Sequence, residues 1–186
     1  MRGLNPDVII GVSLGGLILP KVATYYPKAK LIFVASSTSA NPKSKLFKSL
    51  LNILATSKLL SVALQFPDPI LSRLYTFFNP FYGDKRYRHL YEKDRKLNLK
   101  KIREISLDKH RKILKFIIGT DNSTILSALK QNTLILSSNN DPLTPTEEGE
   151  KLHRLIKNSR FVKVNGGHFE VIGKSEIREI ERFLEN

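Results

Sequence analysis

Four short apolar runs along the chain have the length and composition of β-strands. They predict strands at Asp7–Ile10, Leu31–Ala35, Thr133–Ser137 and Arg160–Val164. The run LIFVA shows no polar alternation, which is typical of a parallel strand buried on both faces. The runs therefore predict a parallel sheet of about four strands.

Apolar residues at helical spacing follow three of these strands. The predicted helices are Leu14–Tyr25, Glu147–Ile156 and Ser175–Leu184. Strands that alternate with helices form an α/β fold in which the helices flank the sheet. With 186 residues, 41% of them hydrophobic, the chain is long enough for one such core.

A long helical block interrupts this alternation. From about residue 45 to 118 the pattern is helical, with breaks near Pro67 and Pro80. We therefore predict an α/β core formed by residues 1–40 and 116–186, with a helical cap insertion at 41–115.

The longest apolar region, Leu46–Phe66, is interrupted by Lys48, Asn52 and Lys58. A membrane span needs about 20 apolar residues, so we predict no transmembrane helix. The chain contains no cysteine, which excludes disulfides and thiolate chemistry. This composition is compatible with a reducing cytoplasm, where we expect the protein.

Positive charge is concentrated in the predicted cap. Residues 41–115 contain 18 Lys and Arg against 6 Asp and Glu, a net charge of +12, whereas the other residues contribute 13 against 11, or +2. A positive field of this kind attracts anionic partners. One interpretation is a surface for an anionic substrate or an acidic carrier protein, and the other is a lysine-rich solvated surface without a partner.

The sequence Gly11-Val12-Ser13-Leu14-Gly15 fits the pattern GxSxG between a predicted strand and a predicted helix. This context predicts a tight turn that exposes Ser13 Oγ at the positive end of the helix, with small neighbours at Gly11 and Gly15. The backbone N–H of Leu14 is then one donor to an oxyanion. Taken alone, the motif fits a glycine-rich packing turn equally well.

Asp141 and His168 each lie in a loop directly after a predicted strand. Singly, each is more typical of a turn or loop residue than of a catalytic group. The carboxyl ends of parallel strands meet at one edge of a sheet, where α/β proteins form their sites. Ser13, Asp141 and His168 are therefore predicted to lie close together, in the chain order Ser, Asp, His.

The motifs GVSLGG, LILSSNNDPLTP and VNGGHFE, with the 27-residue step from Asp141 to His168, resemble the α/β-hydrolase family. The resemblance implies a serine esterase with Ser13 as nucleophile, His168 as base and Asp141 as orienting acid. It further implies acyl transfer from a carboxylic ester, thioester or amide, without a metal or an organic cofactor. The other histidines are assigned no role.

Aromatic residues of the predicted cap are candidates for a substrate pocket, although they fit the small core of the cap equally well. They are Phe66, Tyr75, Phe77, Phe78, Phe81 and Tyr82.

The chain departs from the family pattern before Ser13. The resemblance implies several earlier strands and an HG-rich loop with a second oxyanion donor, whereas twelve residues precede Ser13. We therefore expect weak activity of the isolated chain and self-association through an exposed first strand. A gene fragment, a split enzyme and a protein that has lost catalysis are the three explanations, and the first is favoured.

The alternative to a hydrolase is a non-catalytic binding module whose basic cap contacts an acidic protein, a membrane surface or nucleic acid. Salt-dependent binding that survives Ser13→Ala favours this interpretation. The sequence contains no recognised nucleic-acid-binding motif, so no specific nucleic acid is expected.

Overall fold

The structure is a computed structural model that describes residues 4–39, 45–78, 99–141, 143–168 and 170–185. Its contacts divide the chain into two compact units. One unit comprises Met1–Ala40 and Thr120–Asn186, and the other comprises Asn41–Gly119. The second boundary lies four residues beyond the predicted end of the insertion at residue 115.

The first unit contains a sheet of four parallel strands in the order β1-β2-β3-β4. The strands are β1 (Val8–Val12), β2 (Lys30–Val34), β3 (Thr133–Ser138) and β4 (Ser159–Val164). The predicted parallel sheet is thus confirmed, and each strand ends within two residues of its predicted position. Because all four strands run in one direction, the loops that follow them meet at one edge of the sheet.

The helices are α1 (Leu14–Ala23), α2 (Lys45–Thr56), α3 (Leu59–Gln65), α4 (Asp68–Phe78), α5 (Leu107–Gly119), α6 (Ser123–Ala128), α7 (Thr146–Leu155) and α8 (Lys174–Glu185). Helices α1, α7 and α8 begin and end within two residues of their predicted positions, α2 to α5 lie in the predicted helical block, and α6 was not predicted. Residues 99–104 are also helical.

The two central strands, β2 and β3, are buried on both faces, which explains their continuous apolar runs. Leu31 and Phe33 point to one face, where residues of α1, α6 and α7 pack against them. Ile32 and Val34 alternate with them and point to the other face, towards α8. Leu31, Ile32 and Phe33 are completely buried, and burial of such a side chain contributes roughly 1.5–3 kcal/mol to stability.

Strand β1 lies at the edge of the described sheet. Within the residues that the structure describes, it pairs only with β2. Its side chains Ile10 and Val12 are 53% and 52% exposed, unlike those of β2 and β3. An apolar strand with one unpaired edge is a surface to which another strand can add.

The second unit is helical in its described residues, as the sequence predicts for this insertion. Helices α2 and α5 pack against each other. The Arg111 guanidinium donates a 3.1 Å hydrogen bond to Ser57 O in this unit. The chain leaves and re-enters the first unit at neighbouring positions, because Ser39 and Asp121 form an isolated antiparallel bridge.

Every helix in the described part of the chain is too short or too polar to cross a membrane.

Candidate active site

Ser13 occupies a sharp turn between β1 and α1. Its backbone has φ 50° and ψ −116°, in a region that residues other than glycine rarely adopt. The N–H of Ser13 donates a 2.9 Å hydrogen bond to Val34 O of the neighbouring strand. The turn is therefore held by β2, and its backbone strain lies at the residue predicted to be the nucleophile.

Two glycines make this turn possible, although not the two that the sequence pattern indicated. A Cβ on Gly11 would lie 2.9 Å from Gly16 Cα, and one on Gly16 would lie 2.0 Å from Ser36 Oγ. A Cβ on Gly15 would have no atom within 4 Å. The predicted steric reason thus holds for Gly11 and fails for Gly15, while Gly16 is the second constrained position.

Ser36 supports the turn from the end of β2. Its buried hydroxyl lies 3.1 Å from Gly11 O and 2.9 Å from Val34 O. The preceding residue, Ala35, has φ 46° and is fully buried. The ends of β1 and β2 therefore each contain one residue with positive φ, and the two strained segments contact each other.

Leu14 is the first residue of α1. The first backbone N–H groups of a helix have no acceptor within the helix, and they lie at the positive end of its dipole. The position of Leu14 therefore suits an N–H that faces a developing negative charge beside Ser13.

His168 lies between Ser13 and Asp141. Its Nε2 is 2.9 Å from Ser13 Oγ, and its Nδ1 is 2.6 Å from Asp141 Oδ2. A carboxylate only accepts hydrogen bonds, so Nδ1 carries the proton and Nε2 accepts the Ser13 hydroxyl proton. The structure thus brings together the three residues that the sequence placed after separate strands.

Both members of the His–Asp pair are shielded from solvent, with His168 8% and Asp141 4% exposed. Three further hydrogen bonds hold the carboxylate. Asp141 Oδ1 accepts from Leu143 N at 2.8 Å and from Thr144 N at 2.9 Å, and Oδ2 accepts from Thr144 Oγ1 at 2.5 Å. The pair is therefore buried with its hydrogen-bonding capacity largely used.

The environment of Asp141 favours its charged form. Burial by itself raises the pKa of this carboxyl, but hydrogen bonds from His168 and Thr144 outweigh it and hold the pKa below its usual value of 3.8. Asp141 is consequently ionised at neutral pH and stabilises a positive charge on His168.

A glycine-containing turn positions His168. Gly166 has φ 143°, which a residue with a side chain rarely adopts. The N–H of Gly167 donates a 2.8 Å hydrogen bond to Glu170 Oε2, three residues further along. The glycines in VNGGHFE thus define the path of the loop that presents the imidazole.

The predicted substrate-pocket residues belong to the second unit. Phe66 is half-buried at the end of α3, and its carbonyl accepts a 2.7 Å hydrogen bond from Arg103. Tyr75, Phe77 and Phe78 lie in α4, but their side chains are outside the described residues, as are Phe81 and Tyr82 entirely. Their role in a pocket stays a prediction.

Three contacts of the site were not predicted from the sequence: Thr144 on Asp141, Ser36 on the Ser13 turn and Glu170 on the His168 loop. Thr144 and Glu170 lie within three residues of a predicted site residue, so proximity was an available signal. Ser36 is 23 residues from Ser13 in sequence and has no comparable signal.

Among the described residues, no group of three or more His, Asp or Glu could hold a metal ion.

Comparisons with known proteins agree with this architecture. The sequence profile of a family described as TAP-like protein matches residues 119–186. A search of curated protein sequences finds no match.

Several solved structures have the same fold. MGS-M2, an alpha/beta hydrolase enzyme from a Medee basin deep-sea metagenome library, is 22% identical, with a TM-score of 0.69 over 99% of this chain and 66% of its own. The putative non-heme bromoperoxidase BpoC from Mycobacterium tuberculosis H37Rv is 16% identical, with a TM-score of 0.68 over 97% of this chain and 67% of its own. The enol-lactonase from Burkholderia xenovorans LB400 is 18% identical, with a TM-score of 0.62 over 98% of this chain and 66% of its own.

The sheet order, the strained serine turn and these likenesses identify the chain as a protein of the α/β-hydrolase fold. Within that class, its carboxyl-terminal part resembles the TAP-like protein family. The chain spans about two thirds of the length of the solved structures it matches. At these identities the likeness establishes the fold, and the activity is a separate question.

Proposed function

We propose that this protein is a serine hydrolase that cleaves a carboxylic ester, or a related thioester or amide, through an acyl-enzyme. The observation that carries the proposal is the continuous line of hydrogen bonds from Ser13 Oγ through His168 to Asp141, with distances of 2.9 Å and 2.6 Å. A nucleophile, a base and a group that orients the base are the parts that such a reaction requires.

In the first step, Ser13 Oγ attacks the carbonyl carbon of the substrate while His168 Nε2 takes the hydroxyl proton. The carbonyl oxygen becomes an oxyanion, which the N–H of Leu14 stabilises. Asp141 keeps the proton of His168 on Nδ1 and stabilises the imidazolium. Collapse of the tetrahedral intermediate transfers the proton from Nε2 to the leaving group and leaves the acyl group on Ser13.

In the second step, water replaces the leaving group. His168 Nε2 takes a proton from the water as the water oxygen attacks the acyl carbonyl. The new tetrahedral intermediate then releases the carboxylic acid, and Ser13 Oγ recovers its proton from Nε2. Each step returns the imidazole to its neutral form, so no other proton carrier is needed.

The names of two similar structures are compatible with an ester substrate. One is described as an alpha/beta hydrolase enzyme and the other as an enol-lactonase. A lactone is a cyclic ester, so its hydrolysis passes through the same acyl chemistry. We therefore propose a carboxylesterase-like reaction as the first activity to measure.

The decisive experiment is labelling of Ser13 by a fluorophosphonate probe, since the probe reports an activated serine even when turnover is slow. We expect the native chain to be labelled and Ser13→Ala to be unlabelled. Ser127→Ala is the matched control, because Ser127 is an exposed serine whose hydroxyl donates to Ser123 O within the same helix. Labelling that persists in Ser13→Ala, or absence of labelling in the native chain, would contradict the proposal.

We further propose that the chain associates with a second copy through the free edge of β1. Ile10 and Val12 present about half of their surface on this strand, which pairs only with β2 among the described residues. Two such edges can pair with each other, because backbone N–H and C=O groups are complementary in any two strands.

The basic insertion favours a second, separate candidate function. Its net charge of +12 supports recruitment of an anionic substrate or an acidic carrier protein. Without catalysis it would support a binding module for an acidic protein, a membrane surface or nucleic acid. Binding that weakens with salt and is unchanged in Ser13→Ala is the result that favours a binding module.

The absence of cysteine is compatible with a reducing compartment, and we propose a cytoplasmic location.

A further inference from the structure

The loops that carry Asp141 and His168 are joined by a set of hydrogen bonds centred on Gly166. The carbonyl of Gly166 accepts from the N–H of Asn140 at 3.1 Å and from the hydroxyl of Ser138. The N–H of Gly166 donates to Asn139 Oδ1 at 3.2 Å. The last residue of β3 and the two residues that follow it therefore contact a single residue of the other loop.

Asn139 contributes two side-chain hydrogen bonds to this connection, in addition to the one from the Ser138 hydroxyl. Its Oδ1 accepts from Gly166, and its Nδ2 donates a 2.8 Å hydrogen bond to Asn165 Oδ1. An amide side chain combines a donor and an acceptor, so one residue can hold two consecutive residues of the facing loop. Beyond Ser138 and Val164, where the pairing of β3 and β4 ends, these side-chain contacts add to two backbone hydrogen bonds, from Asn139 N–H to Val164 O and from Asn140 N–H to Gly166 O.

The connection lies directly beside the proposed catalytic pair. Asn139 is two residues before Asp141, and Gly166 is two residues before His168. A shift of the loop at Gly166 would change the 2.6 Å contact between His168 and Asp141 as well as the reach of Nε2 towards Ser13. Misplacement of a reacting group by about 1 Å can cost roughly 100-fold in rate.

We propose that Asn139 is a positioning residue, whose amide fixes the His168 loop relative to Asp141. This inference rests on the proposed hydrolase function, because positioning affects catalysis only if Ser13 and His168 react. Asn139 itself touches neither the substrate nor a reacting atom in this assignment.

The chain contains its own control for a purely structural role. At the opposite end of the same two strands, Asn158 Nδ2 donates to Asn132 Oδ1 and, at 3.4 Å, to Lys130 O. Asn132 directly precedes β3 and Asn158 directly precedes β4. Both Asn pairs are exposed and join β3 to β4, but only the Asn139 pair lies next to the proposed site.

The experiment compares Asn139→Ala with Asn158→Ala in the full chain. We expect both to lower Tm by a similar amount, because each removes an exposed amide that links the same strands. With p-nitrophenyl acetate, Asn139→Ala should lower kcat about tenfold with KM changed by less than about twofold, whereas Asn158→Ala should leave kcat within about twofold. Equal losses of kcat in the two variants, or no loss in Asn139→Ala, would overturn the assignment.

Two more variants separate the contacts of Asn139. Asn165→Ala removes one of these contacts, so it should lower kcat less than Asn139→Ala does. The double variant Asn139→Ala/Asn165→Ala should have the same kcat as Asn139→Ala alone. Asn139→Asp keeps an acceptor for the N–H of Gly166, and the side-chain amide of Asn165 can rotate to donate to the new carboxylate. The kcat of Asn139→Asp should therefore be close to the native value. Additive losses, or no recovery in Asn139→Asp, would contradict positioning through this amide.

A second readout does not depend on activity. The proton on His168 Nδ1 should give a low-field ¹H NMR signal in the native chain, because it is hydrogen-bonded to a buried carboxylate. We expect this signal to weaken or shift in Asn139→Ala and to be unchanged in Asn158→Ala. If the native chain shows the signal but is inactive and is not labelled by the fluorophosphonate, the proposed function is wrong, and the NMR comparison still tests the loop connection. If Asn139→Ala leaves the signal unchanged, the assignment of Asn139 as a positioning residue is wrong.

Discussion

Thr144 Oγ1 donates a 2.5 Å hydrogen bond to Asp141 Oδ2, the same oxygen that lies 2.6 Å from His168 Nδ1. The hydroxyl therefore orients this oxygen and stabilises its negative charge at the point where the imidazole binds. Neither group is accessible to much solvent, since Thr144 is 8% and Asp141 4% exposed. If the hydroxyl were removed, a water molecule could not easily take its place, because the position is buried.

Substitution of Thr144 tests this contact. Thr144→Val keeps the shape but removes the hydroxyl, and a hydrogen bond to a charged group contributes about 1.5–3 kcal/mol, so we expect ester hydrolysis to fall roughly 10- to 100-fold. Thr144→Val also removes one of the hydrogen bonds that lower the pKa of Asp141, so this pKa should rise. Thr144→Ser retains the hydroxyl and should resemble the native chain. Equal activity of the Val and Ser variants would show that the hydroxyl has no such effect.

The lowered pKa of Asp141 predicts how stability depends on pH. The folded-state pKa lies below the ordinary value of 3.8, so the stabilisation is complete above that value and is lost as pH falls through the folded-state pKa. Urea unfolding from pH 7 down to about pH 2.5 should show this loss, at about 1.4 kcal/mol for each unit of pKa difference. Asp141→Asn has no carboxyl to titrate at this position, so this part of the loss in unfolding free energy should be absent.

Asp121 provides the comparison for this titration. Hydrogen bonds from Ser123 also lower the pKa of Asp121, but this carboxyl is exposed. Solvent screens its interactions, so Asp121→Asn should change the pH dependence less than Asp141→Asn. A larger change in Asp121→Asn would contradict our account of Asp141.

Two neighbouring glycines of the Ser13 turn should respond differently to alanine. A Cβ on Gly16 would lie 2.0 Å from Ser36 Oγ, so Gly16→Ala should lower the free energy of unfolding by about 1–3 kcal/mol. Gly15→Ala meets no atom within 4 Å and replaces a helical glycine, so it should be neutral or stabilising by up to about 1 kcal/mol. Urea unfolding of both variants, together with Gly16→Ala/Ser36→Gly, checks this. The double variant should recover part of the loss, and equal effects of the two single variants would disprove the packing argument.

The edge of β1 that is unpaired in the described part of the chain predicts self-association. Ile10→Lys places a charge on the exposed strand and should abolish self-association, which sedimentation velocity measures over a range of protein concentrations. Ile177→Lys is the matched control, since Ile177 is 47% exposed on α8 and Ile10 is 53% exposed on β1. A native chain that is monomeric at all concentrations, or loss of association in both variants, would contradict edge pairing.

The charge of the insertion predicts a salt effect on substrate choice. If the +12 region recruits anionic substrates, raising the ionic strength from about 0.01 to 0.15 M should lower kcat/KM for an anionic ester more than for a neutral short-chain ester. The neutral ester is the control for general effects of salt on the enzyme. Equal sensitivity of the two substrates would remove electrostatic recruitment from the proposal.

Much of the fold could be predicted from local pattern. The continuous apolar run at Leu31–Ala35 indicated a strand buried on both faces, and Leu31 and Ile32 do pack against opposite layers. The boundaries of the strands were less accurate because hydrogen bonding, rather than hydrophobicity, decides where a strand ends. The end of the insertion was predicted at residue 115 and the unit boundary lies at 119, because helical periodicity continues across it.

The sequence by itself determined the order of the elements and the placement of Ser13, Asp141 and His168 after strands, since these depend on residue type and spacing. Only the tertiary structure decided which side chains support them. Gly16 is constrained and Gly15 is not because Ser36, from another strand, lies against one of them. The pairs Asn139–Asn165 and Asn132–Asn158 look alike in sequence, and only the direction of β3 and β4 places one of them beside the proposed site. Such contacts join residues that are distant in the chain, and local periodicity carries no information about them.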